Sequence, residues 1–309
     1  MSAVTVDPQA APERAPAPLR RRRRRLTSYI LPVFTGAMIL YLTSPVLLMI
    51  MYGFNDLKGE RQTAKFTCCT LNWWKNWLAQ TDLNQSLKVS ISVAIPAAII
   101  ATILGALIGL VLGRYSFSGR GGLNFVIFLA IAVPEIVLGS ALLSMFVQAN
   151  GQLNLGIHIG YPTILFSHIG FSIAFVAITV RARVQGLDRS LENAAQDLFA
   201  TPLVAFFKVT LPLIFPGVVA GFLLAFVLSL DDFVITNFVN GTTNTFPTWV
   251  YGAVRLGVPP QVNVWGTVLF TAGVLTAGLQ VLRARSSGRA IQRNEKIEGV
   301  TPTLAAPSE

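Results

Sequence analysis

Hydrophobic and polar positions along this chain separate into six long apolar stretches and the polar segments between them. The stretches lie near residues 28–52, 86–113, 123–147, 161–180, 213–239 and 262–282. A helix rises 1.5 Å per residue, so about 20 apolar residues cross a hydrocarbon core of roughly 30 Å. The runs are too long, and alternate too little, for membrane-barrel strands. They predict an all-α integral membrane protein with six transmembrane helices. Composition agrees: 53% of the chain is hydrophobic and 12% is charged, against roughly 25% charged in soluble domains.

Charge then orients the spans. Residues 1–19 are rich in Ala and Pro and read as a disordered tail, followed by six arginines, Arg20 to Arg25. The apolar run after them is about 25 residues, longer than the 7–15 of a signal peptide, so it reads as an uncleaved first helix. Arginines abutting a span fix topology and do not make a nucleic-acid arm. With both termini cytoplasmic, 18 of the 24 Lys and Arg fall on cytoplasmic segments and 6 outside. A five-span arrangement would put the last five basic residues outside, against this bias. The predicted organisation is a basic cytoplasmic tail (1–25), a six-span domain (26–285) and a C-terminal cytoplasmic tail (286–309). In the external loop 53–85, Trp73, Trp74 and Trp77 predict a segment lying at the membrane interface. Cys68 and Cys69 are adjacent and bond only with strain, so packing thiols are expected.

The cytoplasmic stretch 181–212 is too long for a passive connector. Ser190 can cap a helix whose polar face carries Glu192 and Asp197. Thr201-Pro202 starts a second helix, ending before Pro212, with Pro at its first position. Two short helices there predict a docking platform.

The run Leu191-Glu192-Asn193-Ala194-Ala195-Gln196-Asp197-Leu198, followed by Val209-Thr210-Leu211-Pro212, resembles the coupling loop of ABC-importer permeases. Val133-Pro134-Glu135-Ile136-Val137-Leu138-Gly139, Ser229-Leu230-Asp231-Asp232-Phe233 and Phe246-Pro247-Thr248-Trp249-Val250-Tyr251 resemble the spermidine/putrescine branch of that family. The resemblance covers roughly residues 26–290. It implies a type I importer permease fold in a bacterial inner membrane. The first helix would pack on a second permease subunit, read as a paralogue, and spans two to six would form the core. Two ATPase subunits and an extracytoplasmic solute-binding protein would complete the assembly, with ATP and Mg on the ATPase and no cofactor on this chain. Leu191, Glu192, Asn193, Ala194, Ala195, Asp197, Leu198 and Phe199 would make the ATPase contact. Asn193 stands where the family has glutamate, and Phe199 where a glycine makes the turn. Phenylalanine tolerates a positive φ poorly, so an altered turn is expected, with Glu192 or Asp197 replacing the lost charge.

Glu135, Asp231 and Asp232 are the carboxylates inside predicted spans, where ionised groups mark a pathway or a buried pair. Pro134 removes a backbone hydrogen bond and can open its helix to aim Glu135 inward. Asp231 and Asp232 point about 100° apart on a helix, so they cannot share one target. The alternatives are a cation path, a cap on broken backbone or an intersubunit pair. Trp249 and Tyr251 offer cation–π faces to an amine, or interfacial anchors. His168 reads as a satisfied core histidine, and His158 lies in an external loop. No phosphate-binding Gly-Lys motif is present, which places ATP hydrolysis elsewhere. A permease for a polyamine is the reading. Its alternatives are a permease for another small solute, a stand-alone secondary transporter, or a membrane-embedded enzyme lacking a nucleophile or metal set.

Overall fold

The computed structural model describes residues 27–56, 65–153, 156–188, 190–276 and 278–279. The tails expected over 1–25 and 286–309 lie outside them. The chain divides into two units, Met1–Met49 and Ile50–Glu309. The first unit carries most of α1 (Thr27–Tyr52), the first expected span. Its large apolar side chains, among them Leu31, Phe34, Tyr41 and Leu42, are exposed. A helix apolar all round suits lipid or another apolar surface.

In the second unit the elements are α2 (Asn72–Lys75), α3 (Thr81–Arg114), α4 (Arg120–Ala132), α5 (Glu135–Leu153), α6 (Tyr161–Gln185) and α7 (Ser190–Asp197). They continue with α8 (Pro202–Ala205), a π-helical turn (Phe206–Thr210), α9 (Leu211–Asp231), α10 (Val234–Val239) and α11 (Phe246–Leu256). A last helix, α12, is described over residues 261–276. No strand occurs among the described residues. The centre is a three-helix packing of α3, α6 and α9. Apolar helices gain nothing by leaving lipid for one another, so close backbone approach and van der Waals contact hold them. Gly105, Gly109 and Gly113 line one face of α3 at intervals of four. A Cβ at Gly109 would stand 2.6 Å from the Ala177 carbonyl oxygen, and one at Gly105 2.6 Å from Val176 Cβ. Val176, Val180 and Val184 of α6 meet those glycines, and the same valines cluster with Ile214 and Ala225 of α9.

Two spans, and the second helix of the cytoplasmic loop, differ from the expected ones. The stretch 123–147 is not one straight helix: α4 and α5 meet at a 107° bend. Pro134 brings no N–H to the ladder, and Val133 leaves the helix at ψ 129°. Gly139 then lets α10 close on α5, since a Cβ there would lie 2.7 Å from Phe238 Cδ2. The stretch 213–239 also breaks. α9 ends at Asp231 and α10 resumes at Val234. The helix opened by Thr201-Pro202 does not stop before Pro212 but runs on, so Pro202–Asp231 is one apolar path of 30 residues. A proline ring in a regular helix collides with the carbonyl four residues earlier. Here the wider π turn precedes it, and Leu211 N–H reaches the Phe206 oxygen. Four helices are long and apolar enough to cross a membrane, or five with the bent pair counted as one. The sixth expected span begins with α12, and its end lies outside the described residues.

The loop tryptophans are held by protein. Trp73 Nε1 donates to the Asn55 carbonyl at 2.8 Å. Trp74 stacks on Phe54, and Trp77 lies 4.5 Å from the Trp265 ring centre. Cys68 and Cys69 are bonded to one another, not free as expected. Cys68 takes a left-handed φ of 46°.

Candidate functional site

At one end of the bundle, the loop 186–202 is a shaped projection. Helix α7 starts at Ser190, but its first free N–H is taken by Asp188, whose Oδ1 accepts from Ser190 N at 2.9 Å. Asp188 thus supplies the cap expected from Ser190, and this bond holds the Asp188 carboxyl below its ordinary value of 3.8. At its other end α7 closes with a Schellman motif: Phe199 N donates to Gln196 O at 2.9 Å and Ala200 N to Ala195 O at 3.1 Å. Phe199 occupies the left-handed position of that motif at φ 63°. The glycine-type turn is therefore kept, contrary to the altered turn expected from a phenylalanine. The next helix is capped by Thr201, whose Oγ1 accepts from Val204 N.

The projection is apolar at its tip. Phe199 is 98% exposed and Leu198 81%. Asn193, Ala194 and Asp197 are exposed as well, Leu191 is half-exposed and Ala195 is half-buried. Glu192 is turned inward and forms an ion pair with Arg114 at the end of α3. Its charge therefore fastens α7 to the bundle. Leu203 and Phe207 extend the exposed apolar surface.

The three expected carboxylates go to different places. Glu135 is the first residue of α5 and is exposed. A carboxylate there complements the partial positive charge of a helix N-terminus. Asp231, the last residue of α9, is also exposed. Asp232 turns inward and caps α10, accepting from Thr236 N at 2.8 Å and Thr236 Oγ1 at 2.7 Å. It also lies 3.3 Å from His168 Nε2. The His168 ring, 1% exposed, stands 2.7 Å from Ser229 Oγ through Nδ1 and 2.9 Å from Thr236 Oγ1 through Nε2. One histidine on α6 thus joins the last turn of α9 to the first turn of α10 across the break. It is the satisfied core residue expected, with a clamping geometry that its span position did not show. His158 is exposed.

The opposite end of the bundle, about 50 Å from Arg114 along α3, is concave and polar. A cavity of about 530 Å³ is lined by Gln80, Asp82, Asn244, Thr248 and Trp249, with Gly252 and Ala253. A second, of about 280 Å³, is lined by Asn72, Trp73, Asn76, Gln80 and Gln261. Helix α11 forms a wall of the first, fixed by a capping box between Thr245 and Thr248 and by Phe246 N donating to Ser90 Oγ at 2.8 Å. Trp249 enters this lining but Tyr251 does not. Tyr251 packs on Phe233 at 4.6 Å, and the Arg255 guanidinium lies 5.4 Å from its ring centre. Asp82, Gln80 and Gln261 carry no motif, and no sequence signal singles them out. No metal-binding group of three or more side chains occurs among the described residues.

The pattern of the binding-protein-dependent transport system inner membrane component matches residues 105–282. The chain is 36% identical over 255 residues to the putrescine transport system permease protein PotI of Escherichia coli (strain K12), covering 82% of this chain and 90% of PotI. It is 34% identical over 253 residues to the spermidine/putrescine transport system permease protein PotC of the same strain, covering 82% and 92%. Its fold superposes on a chain of a bacterial ABC transporter involved in import of the acidic polysaccharide alginate. The TM-score is 0.61 at 17% identity, covering 87% of this chain and 99% of that one. The MetNI methionine ABC transporter aligns at a TM-score of 0.52 and 17% identity, covering 65% and 95%. A helix bundle with a projecting two-helix loop at one end, matched over more than half its length by one family and over most of it by these relatives, belongs to the inner-membrane permeases of binding-protein-dependent ABC importers.

Proposed function

We propose that this chain is the permease subunit of an ATP-driven importer for an aliphatic polyamine of the putrescine or spermidine kind. The substrate class rests on the polyamine permeases among its relatives. The observation that carries the coupling is the exposed Leu198-Phe199 tip on a loop anchored to the bundle by Glu192 and Arg114. Apolar side chains held out on a rigid turn suit a groove in a partner protein. In this reading the partner is an ATPase, which carries ATP and Mg, and two such subunits serve this chain and a second permease, a paralogue. An extracytoplasmic binding protein delivers the solute at the opposite end. The loop end and both termini are cytoplasmic, and lipid surrounds the bundle.

The geometry supplies a route for the coupling. The path from Pro202 to Asp231 is a continuous 30-residue rod, about 45 Å long. A displacement of α8 by the ATPase moves the far end of that rod, where Asp232 and His168 hold the break. The cargo path then responds near Asp231 and α10, and Glu135 and Trp249 are the other residues assigned to it. The test is uptake of labelled putrescine and spermidine by proteoliposomes containing the complete importer, binding protein and internal ATP. ATP-dependent accumulation of either polyamine is expected. Accumulation of neither, in an assembly that hydrolyses ATP, would overturn the substrate class.

A further inference from the structure

We infer that a cleft between α3, α4 and α6, at the loop end of the bundle, is a binding site for one anionic phospholipid, with Arg181 taking the headgroup phosphate. The inference goes beyond the transport reading and does not depend on the cargo. Three observations carry it. A cavity of about 240 Å³ has apolar walls made by Leu112 of α3, Ile127 and Phe128 of α4, and Ala177 and Ile178 of α6. Its polar lining is Asn124 and Arg181. Arg181 is half-buried and donates from Nη1 to Asn124 Oδ1 at 2.6 Å, and its side chain has no other protein acceptor among the described residues. Among them, too, no Asp or Glu pairs with Arg181 or with Arg120. Arg120 opens α4 and donates from Nη2 to the carbonyl of Leu112, a wall residue, at 2.9 Å.

Depth and chemistry select the ligand. Arg181 lies 20 residues after Tyr161, the first residue of α6, or about 30 Å along the helix. That is roughly the thickness of the hydrocarbon core, so Arg181 stands where the core gives way to headgroups. A guanidinium has five donors and no acceptor. Asn124 engages one of them, and a phosphodiester offers the paired oxygens that match the remaining fork. Phe128 and Ile178 line the cleft and are themselves exposed, so an acyl chain can reach the apolar walls from the surface of the bundle. A zwitterionic lipid would bring its own cation beside two arginines that have no carboxylate to receive it. A lipid of net negative charge meets the same two cations favourably, as in other basic pockets between membrane helices. A free phosphate ion would find the arginine and leave the apolar walls bare.

The test uses the complete importer, with partner permease and ATPases, in phosphatidylcholine nanodiscs with a Phe128→Trp reporter. None of this chain's own tryptophans lines the cleft, and the reporter signal is the difference from the complex without it. Brominated phosphatidylglycerol and brominated phosphatidylcholine are the quenching probes. Phosphatidylglycerol should quench at about a fivefold lower mole fraction, as one charge near the headgroup plane allows. Arg181→Gln should bring the two lipids within about twofold of each other. Ile178→Phe keeps the charge but narrows the cleft, and should weaken quenching by phosphatidylglycerol about threefold. An excess of inorganic phosphate should change nothing, and displacement of the lipid by it would overturn the inference in favour of a phosphate site. Equal quenching by the two lipids, or a preference that survives Arg181→Gln, overturns it as well. No quenching by either lipid in an assembled complex would mean that a partner subunit covers the cleft, which also overturns it. Where Arg181→Gln does not assemble, Ile178→Phe decides: unchanged quenching overturns the site.

Discussion

The two ends of α3 face opposite problems. At Arg114 the neighbouring surface is convex and apolar, ending in Leu198 and Phe199. At Asp82 it is concave and lined by one carboxylate and several carboxamides. The apolar end projects exposed side chains, which the proposed function sets against an ATPase. The polar end instead surrounds two cavities with side chains that can accept and donate hydrogen bonds. Between them lies a tightly packed middle, where glycines bring α3 and α6 into backbone contact and His168 ties α6 to both sides of the α9–α10 break. The difference is physical: exposed apolar side chains on a convex projection at one end, and polar side chains around cavities at the other.

The contrast breaks most sharply at the loop tip. Leu198→Asp with Phe199→Asp would place two unpaired charges in the partner groove, costing on the order of 2–5 kcal/mol of docking. The ATPase should fail to co-purify, while the permease itself still inserts into the membrane. Phe199→Gly sharpens the same point. It relieves a left-handed residue, worth roughly 1–2 kcal/mol to α7, yet removes the most exposed apolar side chain. A better-formed loop that docks less well would separate the turn from the contact. Unimpaired co-purification of the double aspartate variant would remove the tip from the interface.

A smaller effect tests the middle. His168→Ala leaves Asp232, Ser229 and Thr236 without their shared partner, at a cost of about 1–3 kcal/mol for a buried polar group. The thermal midpoint of the purified complex should fall, and ATP hydrolysis should proceed with reduced uptake per turnover. Docking of the ATPase should survive, because the loop end is not touched. A variant with wild-type uptake per ATP would leave His168 as packing alone.

Apolar run length marked out α1, α3 and α6 with ends shifted by a few residues, because burial in lipid is a cumulative property of about 20 positions. The polar run Leu191–Leu198 foretold the projecting helix, since its charged and small residues could not continue a span. Pro134 marked where the third stretch could open, but the size of the break, 107°, and the close approach of α10 at Gly139 were not legible in hydropathy. Pro212 looked like a terminator because its cost in a regular helix is known, but a π turn five residues long absorbs it. Asp231 and Asp232 are alike in sequence. The location of the break, one residue after Asp231, decides which one caps α10. Asp82 and Gln261 line neighbouring cavities from segments 179 positions apart, and neither belongs to a pattern that periodicity can detect.

The smallest effect concerns the cap of α7. Asp188 accepts the Ser190 N–H, and that bond depresses its carboxyl pKa below 3.8. A depressed folded-state value means that the bond supports α7 fully above the ordinary pKa. That support is lost as the pH falls through the folded value. Amide hydrogen exchange of α7 in nanodiscs, corrected for intrinsic rate, should show protection of its first turn at pH 5 that declines towards pH 3. Asp188→Asn keeps an acceptor oxygen without a titrating charge, so its decline should be shallower. Glu192 is paired with Arg114 in the same turn, but that pair is present in both proteins, and the difference between them isolates Asp188. The first turn of α3, at the polar end, should show no such difference. Equal pH dependence in the two proteins would mean that the loop end is held by Glu192 and Arg114 alone, leaving the Schellman turn at Phe199 as the remaining device that shapes the tip.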